Sequence, residues 1–257
     1  TNLIPQELRE NFRQLDENTR KVIVEGLRVH YYCVENVDEF SLDCVGADFW
    51  NQLYGRLEID RKRVVPWLND IHKLRGATIL EIGCGTGAST VALCEQGAIV
   101  TAIDTAAHSL EVSRIRLDAY GLSADIMNIN AAEITEKLPG RKFDLVIYFA
   151  SLEHMTFRER IQSLRSAFNM LTDDGQVVFV EIPNRLWFID LHTSHEPFYN
   201  WLPDDLAMEY SRFTPREGFN LGFDVSDVQD TLCFARWGRG VSYHELEVAL
   251  GGRGCFQ

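Results

Sequence analysis

A turn with glycine at every other position, Gly83, Gly85 and Gly87 in ILEIGCGTGAST (79–90), follows an apolar run that carries an acid, Glu81. Glycine has no Cβ, so such a turn lets a ligand approach the main chain, and the helix-like STVALCEQ after it offers unpaired N–H groups. A dinucleotide site would read Gly-x-Gly-x-x-Gly, with a pyrophosphate on the helix end. Here the spacing is Gly-x-Gly-x-Gly, and the Glu81 carboxylate would repel a pyrophosphate. A ligand with an ammonium group and no phosphate suits the turn better. Asp104 lies 17 residues beyond Gly87, at the end of AIVTAID. An acid there can accept both hydroxyls of a ribose lying across the strand ends. A nucleoside that carries an ammonium group fits both acids.

These residues make the chain resemble the class I S-adenosylmethionine-dependent methyltransferases. The resemblance runs through EIGCGTG, Asp104, NAAE at 130–133 and FDLVIYFASLEHM at 143–155, about residues 77 to 182. It implies S-adenosylmethionine as cofactor and S-adenosylhomocysteine as product. By the same resemblance Glu81 and Gly83, Cys84, Gly85, Thr86 and Gly87 hold the methionyl part, Asp104 holds the ribose with Thr105 beside it, Asn130 and Ala131 meet the adenine edge, and Phe149, Ala150 and Ser151 line the cofactor floor. The family commonly has Asp where this chain has Asn130. Cys84 reads as a small buried filler, since nothing near it in sequence would activate a thiolate. No metal belongs to this set.

Methyl transfer from a sulfonium is an in-line displacement, so an enzyme positions the acceptor and, for a hydroxyl, removes its proton. His154 in SLEHM, just after the fourth strand, is the candidate base; its alternative role is a helix cap or core histidine. Glu181, at the end of the fifth strand, is the candidate partner that orients it; the alternative is a carboxylate satisfied by the adjacent loop or by Arg185. His192, His195 and Glu196 in HTSHE invite a metal reading. The motif is not HExxH, however, Pro197 follows at once, and no third ligand is nearby in sequence, so these histidines are expected in an acceptor pocket or a surface loop, without metal. Trp187, Phe188, Phe198, Tyr199 and Trp201 predict an apolar, medium-sized pocket. The segment PNRLWFIDLHT…WLP resembles one in methyltransferases of glycan and secondary-metabolite gene clusters. The expected activity is O-methylation of a small or carrier-bound metabolite. N-methylation, with His154 merely structural, is the alternative within the class, and a catalytically silent cofactor-binding scaffold is the alternative outside it.

Residues so placed need strands that end together. ATILEI (77–82), AIVTAI (98–103), ADIMNI (124–129), FDLVIYF (143–149) and QVVFVEI (176–182) alternate with helical segments at 87–96, 106–120 and 157–171. That alternation predicts βαβ units and an α/β, Rossmann-like, mostly parallel sheet with helices on both faces. LTDDGQ reads as an acidic turn closing the third helix at Gly175. Residues 7–30 and 49–74 read as helices of an N-terminal lid in which Trp50 and Tyr54 close over the cofactor or pack in the core. After Pro183 the chain reads as an irregular excursion as far as Pro203, and later Ser242 and Glu245 form a capping box with Gly251 as the helix stop. Three parts result: 1–76 as lid and substrate layer, 77–182 as cofactor-binding core, and 183–257 as acceptor-pocket insertion and C-terminal helical part.

Composition narrows the partners. Acids outnumber bases 38 to 25, for a formal charge of −13, and no basic stripe is present, which argues against nucleic acid. No run of about 20 apolar residues exists for a membrane span, and the N-terminal stretch lacks the pattern of a secretory signal. The six cysteines, Cys33, Cys44, Cys84, Cys94, Cys233 and Cys255, form no CxxC pair, which fits free thiols in a cytoplasmic setting. Folds of this type usually end in an antiparallel strand pair. The last residues are too few for one, and TLCFARWGRGVSY collides with the capping box. The chain is therefore expected to be a piece of a longer polypeptide, one domain of a multidomain assembly; a hairpin over 231–250 would speak against that.

Overall fold

The computed structural model describes residues 4–34, 46 and 48–252, so Cys44, Cys255 and the tail from residue 253 lie outside the described residues. Five strands form one parallel sheet flanked by helices, in the order β3-β2-β1-β4-β5. They are β1 (Thr78–Ile82), β2 (Ile99–Asp104), β3 (Asp125–Asn128), β4 (Phe143–Phe149) and β5 (Leu171–Val180). In β1 every residue after Thr78 is buried, as expected of an apolar run in a central parallel strand. Register sets Glu81 opposite Ala102 and Asp104 opposite Asn128. The chain builds outward from β1 to β3 and then returns to the other side of β1, so the strand order reverses beside the strand that carries the glycine turn. Ligands of open α/β sheets bind at such a reversal.

The chain divides into two compact units. The first comprises residues 1–131, 136–147 and 170–178 and so contains most of the sheet together with the N-terminal helices. The predicted helix over 7–30 is broken. α1 (Gln6–Glu10) stops, and α2 (Glu17–Gly26) starts afresh where the Asp16 carboxylate accepts the Asn18 and Thr19 amides at 2.9 Å. The helix expected at 49–74 is present: residues 48–50 are helical, and α3 follows from Asn51 to Ile71 in segments Asn51–Gly55, Arg56–Ile59, Asp60–Val64 and Val65–Ile71 that alternate wide π turns with α turns. α4 (Ala88–Glu95) has every residue buried, because it runs against α3 and α5 (Ala107–Ala119) as well as β2. Its last residue, Glu95, is tied by Arg61 of α3 at 2.5 and 2.9 Å and by the Arg13 amide at 2.9 Å, which fixes the N-terminal layer to α4.

β5 starts five residues earlier than the sequence suggests, and LTDDGQ is strand. β5 is at the sheet edge, where charged side chains can face water. Gly175 serves a close approach there: a Cβ would lie 2.8 Å from the Phe143 carbonyl oxygen and 3.0 Å from the Thr172 amide nitrogen.

The second unit comprises residues 132–135, 148–169 and 179–257. It contains α6 (Phe157–Asn169), α7 (Asp204–Tyr210), α8 (Val228–Trp237) and α9 (Tyr243–Leu250) around Tyr199, Ala207, Met208, Phe219, Phe223 and Phe234. The Ser242–Glu245 capping box is present, and Gly251 ends α9 at φ +76°. α8 was not expected: TLCFARW falls within it, so the described part of 231–250 is helical and forms no hairpin. Tyr199 is core, while Trp187, Phe188, Phe198 and Trp201 are exposed and meet ring to ring at 4.9–6.3 Å. Among the described residues no helix is long and apolar enough to cross a membrane.

Candidate functional site

The glycine turn and the two acids belong to the first unit. Gly83, Gly85 and Gly87 all take positive φ, +87°, +50° and +82°, which L side chains rarely adopt. Their surroundings differ. A Cβ on Gly87 would lie 2.5 Å from Ser113 Oγ and 2.9 Å from Ser113 Cα, so this glycine is required by the packing of α5. A Cβ on Gly85 would meet nothing within 4 Å, so the space over the middle of the turn is open. Gly87 also caps α4 without any side-chain hydrogen bond to its first amides, leaving N–H groups for an anionic ligand group.

Asp104, half-buried, accepts the Gly85 amide at 2.9 Å through Oδ2 and the Ala106 amide at 2.8 Å through Oδ1. It thus holds the turn to the end of β2, and each oxygen keeps a lone pair for a further donor. Thr105 beside it is exposed. Glu81 is wholly buried. Its carboxylate accepts the Ser89 hydroxyl and, at 2.7 Å, the Thr90 hydroxyl, which staples the start of α4 to β1. Burial pushes its pKa up to about 7, against the lowering effect of the two hydroxyls. Cys84 is buried, and burial raises its thiol well above the ordinary value, in keeping with a filler. Asn130 is half-buried and Ala131 buried, both just past β3.

Arg116 is a residue that sequence reasoning missed. It is wholly buried on α5 and donates to the carbonyls of Thr86 at 2.9 Å, Leu53 at 2.8 Å and Gln52. Thr86 donates in turn to the Gln52 side chain at 3.0 Å, so the glycine turn is tied directly to α3. Trp50 and Tyr54, part of the expected lid, flank these two α3 residues and are exposed, their rings 5.4 Å apart. An arginine on an apparently ordinary helix gives no sequence signal of three carbonyl partners.

Phe149, Ala150, Ser151, His154 and Glu181 belong to the second unit. Ala150 and Glu181 sit at the ends of β4 and β5 with φ +38° and +58°, and the Ala150 amide donates to the Val180 carbonyl at 2.9 Å. Left-handed backbone at non-glycine residues is strain of the kind that collects at functional sites. Phe149 and Ser151 are half-buried and Glu181 is exposed.

His154 is half-buried, and its Nδ1 lies 2.8 Å from the Arg236 carbonyl oxygen. A carbonyl only accepts, so Nδ1 carries the proton and Nε2 presents a lone pair. Glu153 Oε1 lies 3.9 Å from that nitrogen. His192 Nε2 approaches the same oxygen, also at 3.9 Å, and the two imidazole centroids are 5.1 Å apart. His192 Nδ1 lies 2.9 Å from the Thr193 hydroxyl, which donates to the Gly238 carbonyl at 2.6 Å, so this imidazole too carries its proton on Nδ1. Burial holds His154 below its usual pKa and pushes His192 down to about 4, the latter helped by its histidine neighbour. Glu153 is wholly buried, and burial pushes it up to about 7.

The backbone that supports this cluster is closely specified. Asp190 accepts the amides of His192, Thr193 and Ser194 at 3.1, 3.0 and 2.8 Å, winding the HTSH segment into a turn. Arg160 donates to the Glu153 carbonyl at 2.7 Å, and Arg236 donates to the His154 carbonyl at 2.8 Å while pairing with Glu159 at 2.7 Å. A Cβ at Gly238 would lie 2.7 Å from His192 Cε1 and 3.2 Å from His154 Cε1, so only glycine admits both rings. The group that orients His154 is thus the Arg236 carbonyl, and the carboxylate beside it is Glu153. His195, at φ +61°, is not part of this trio.

A family model described as "Methyltransferase domain" matches residues 80–177. Over these residues the chain is similar to methyltransferase domains. Among curated relatives, ubiquinone biosynthesis O-methyltransferase of Pseudomonas paraeruginosa is 33% identical over 121 residues, 47% of this chain and 50% of that protein. The same-named enzyme of Pseudomonas fluorescens (strain Pf0-1) is 31% identical over 118 residues, 46% of this chain and 50% of that protein. The chain therefore spans about half the length of the curated relatives it matches. Among solved structures, magnesium protoporphyrin IX methyltransferase from Synechocystis PCC 6803 with bound SAM is 19% identical, with a TM-score of 0.46 over 68% of this chain and 81% of that one.

Proposed function

We propose that the chain is an S-adenosylmethionine-dependent methyltransferase that methylates a hydroxyl of a small or carrier-bound metabolite, with His154 as base. The first unit's residues fit the cofactor. Gly85 leaves open space for an amino-acid moiety, the uncapped start of α4 offers N–H groups to its carboxylate, and Asp104 has lone pairs to spare for ribose hydroxyls. Asn130 and Ala131 are assigned to the adenine edge, Phe149, Ala150 and Ser151 to the cofactor floor, and α3 with Trp50 and Tyr54 to the lid. When bound, S-adenosylmethionine supplies a methyl group on a sulfonium, an electrophile that needs no further activation from the protein.

What the protein supplies is a proton acceptor. The observation that carries the oxygen acceptor is the His154 imidazole, neutral near pH 7, with its proton fixed on Nδ1 and a lone pair on Nε2. Such a nitrogen takes the proton of an alcohol or phenol as the oxygen attacks carbon, and an amine needs less of this help. Once protonated, the imidazolium is stabilised by Glu153, 3.9 Å from Nε2. Glu181, one residue beyond the end of β5, is assigned a further electrostatic share. The curated relatives are named for O-methylation, which supports the same choice.

The test is transfer of labelled methyl to matched hydroxyl and amine acceptors. His154→Ala should lower hydroxyl methylation about 10²–10⁴-fold with cofactor affinity nearly intact. Retained turnover, or a loss confined to cofactor binding, contradicts the assignment.

A further inference from the structure

Three atoms able to ligate a cation meet in the second unit. His154 and His192 each have the proton on Nδ1, held by the Arg236 carbonyl and the Thr193 hydroxyl, so each Nε2 carries a lone pair, and each lies 3.9 Å from Glu153 Oε1. Glu153 is wholly buried, and neither of its carboxylate oxygens has a hydrogen-bond partner among the described residues. A buried carboxylate left without donors is costly, and two imidazole lone pairs near it make it more so. What is missing is positive charge at the point where the three atoms converge.

We infer that Glu153, His154 and His192 form a binding site for a first-row divalent transition-metal ion. The ligand atoms lie within 4.8 Å of one another. Around a tetrahedral ion with bonds of about 2.05 Å, neighbouring ligand atoms are about 3.3 Å apart, so small side-chain rotations suffice to close the site. Two neutral imidazoles and one carboxylate suit zinc or iron(II), whereas magnesium and calcium prefer all-oxygen sets. The partners on Nδ1 are those that metal-bound histidines use: they fix the tautomer and the ring orientation. The nearby guanidinium groups do not substitute for the ion. Arg160 is paired with Glu245 at 3.1 Å and Arg236 with Glu159 at 2.7 Å, and both donate to backbone carbonyls of the loop, away from the Glu153 carboxylate. HTSHE therefore contributes one ligand and SLEHM contributes two, a combination hidden in the sequence because the halves of the site are 38 residues apart.

The inference concerns the cluster assigned the base, but does not depend on methyl transfer. With an ion bound, His154 is a ligand in place of a base, and the ion lowers the pKa of a coordinated hydroxyl instead.

The experiment is a zinc titration of the full chain after chelator treatment, against a chromogenic competitor, in a background carrying Cys33→Ser and Cys233→Ser, exposed among the described residues, and Cys44→Ser and Cys255→Ser, outside them. One equivalent should bind with submicromolar affinity. Glu153→Gln and His192→Ala should each weaken binding at least about 100-fold, with S-adenosylmethionine affinity unchanged. Binding of less than one equivalent, or equal affinity in the folded variants, overturns the site. If Glu153→Gln does not fold, His192→Ala decides alone. Zinc binding without methyl transfer would refute the proposed function and leave the site standing; transfer without zinc binding would do the reverse.

Discussion

Asp104 accepts the amide hydrogen of Gly85 at 2.9 Å, so the acid at the end of β2 holds the middle glycine of the turn after β1. The two features that stand out most in the sequence are thus one structural device. Replacing Asp104 by Ala removes both the tether and the acceptor proposed for the ribose. Affinity for S-adenosylmethionine should fall by about 1–3 kcal/mol, roughly 5- to 150-fold, by calorimetric titration. Unchanged affinity would take Asp104 out of the site.

The glycines of the turn should separate into two kinds. Gly87→Ala meets both a positive φ and the body of Ser113, so it should lower the melting temperature markedly. Gly85→Ala meets only the positive φ, and should cost on the order of 1 kcal/mol in stability while its methyl group enters the open ligand space and weakens cofactor binding. Thermal melts with and without S-adenosylmethionine read the two effects. Equal stability losses in both variants would refute the distinction.

The sheet and the cofactor turn were legible because each is encoded locally. β1, β2 and β4 are apolar runs, Gly83, Gly85 and Gly87 take φ angles that favour glycine, and Ser242 with Glu245 form the expected capping box. What was not legible depends on contacts distant in sequence. Arg116 meets Thr86 and Leu53, Thr193 meets Gly238, and Glu153 meets His192, none of which leaves a periodic pattern. Glu153 in SLEHM gives no sequence signal of burial, since an acid beside a histidine reads as exposed; in the structure it is wholly buried and Arg160 holds its carbonyl. α8 was missed because TLCFARWGRGVSY was weighed only as a strand pair, although Asp227 caps the helix by accepting the Gln229 and Asp230 amides at 2.6 and 3.1 Å.

Burial raises Glu81 to about 7, so the folded protein binds its proton more tightly than the unfolded chain does. Stability from this group is fully present below the ordinary carboxylate pKa and is lost as pH rises through about 7. Glu81→Gln, which stays neutral, should therefore gain on the wild type between pH 5 and pH 8, by at most about 1.4 kcal/mol per pH unit. Urea melts across that range check the sign; a gap between the two proteins that does not change with pH would contradict it.

Arg116 has no carboxylate partner among the described residues, and burial lowers its pKa to about 10. Its contribution lies in donating to three backbone carbonyls in the interior. Arg116→Met fills similar volume but leaves the Thr86, Leu53 and Gln52 oxygens without that donor. A loss of several kcal/mol is expected in chemical denaturation, together with weaker cofactor binding as the turn comes free of α3. A loss below about 1 kcal/mol would show that water replaces the guanidinium at little cost.

The central claim is that this chain moves a methyl group to oxygen with His154 as base. The most direct measurement is single-turnover transfer of labelled methyl from S-adenosylmethionine to a hydroxyl acceptor, followed from pH 5 to pH 9 in wild type and His154→Ala. Burial lowers the His154 pKa below its usual value, so the wild-type rate should rise with pH through a midpoint on the acid side of about 6.5 and then level off. The variant should be about 10²–10⁴-fold slower and lack that rise. A variant with the wild-type profile, or label found on amines alone, would contradict the account.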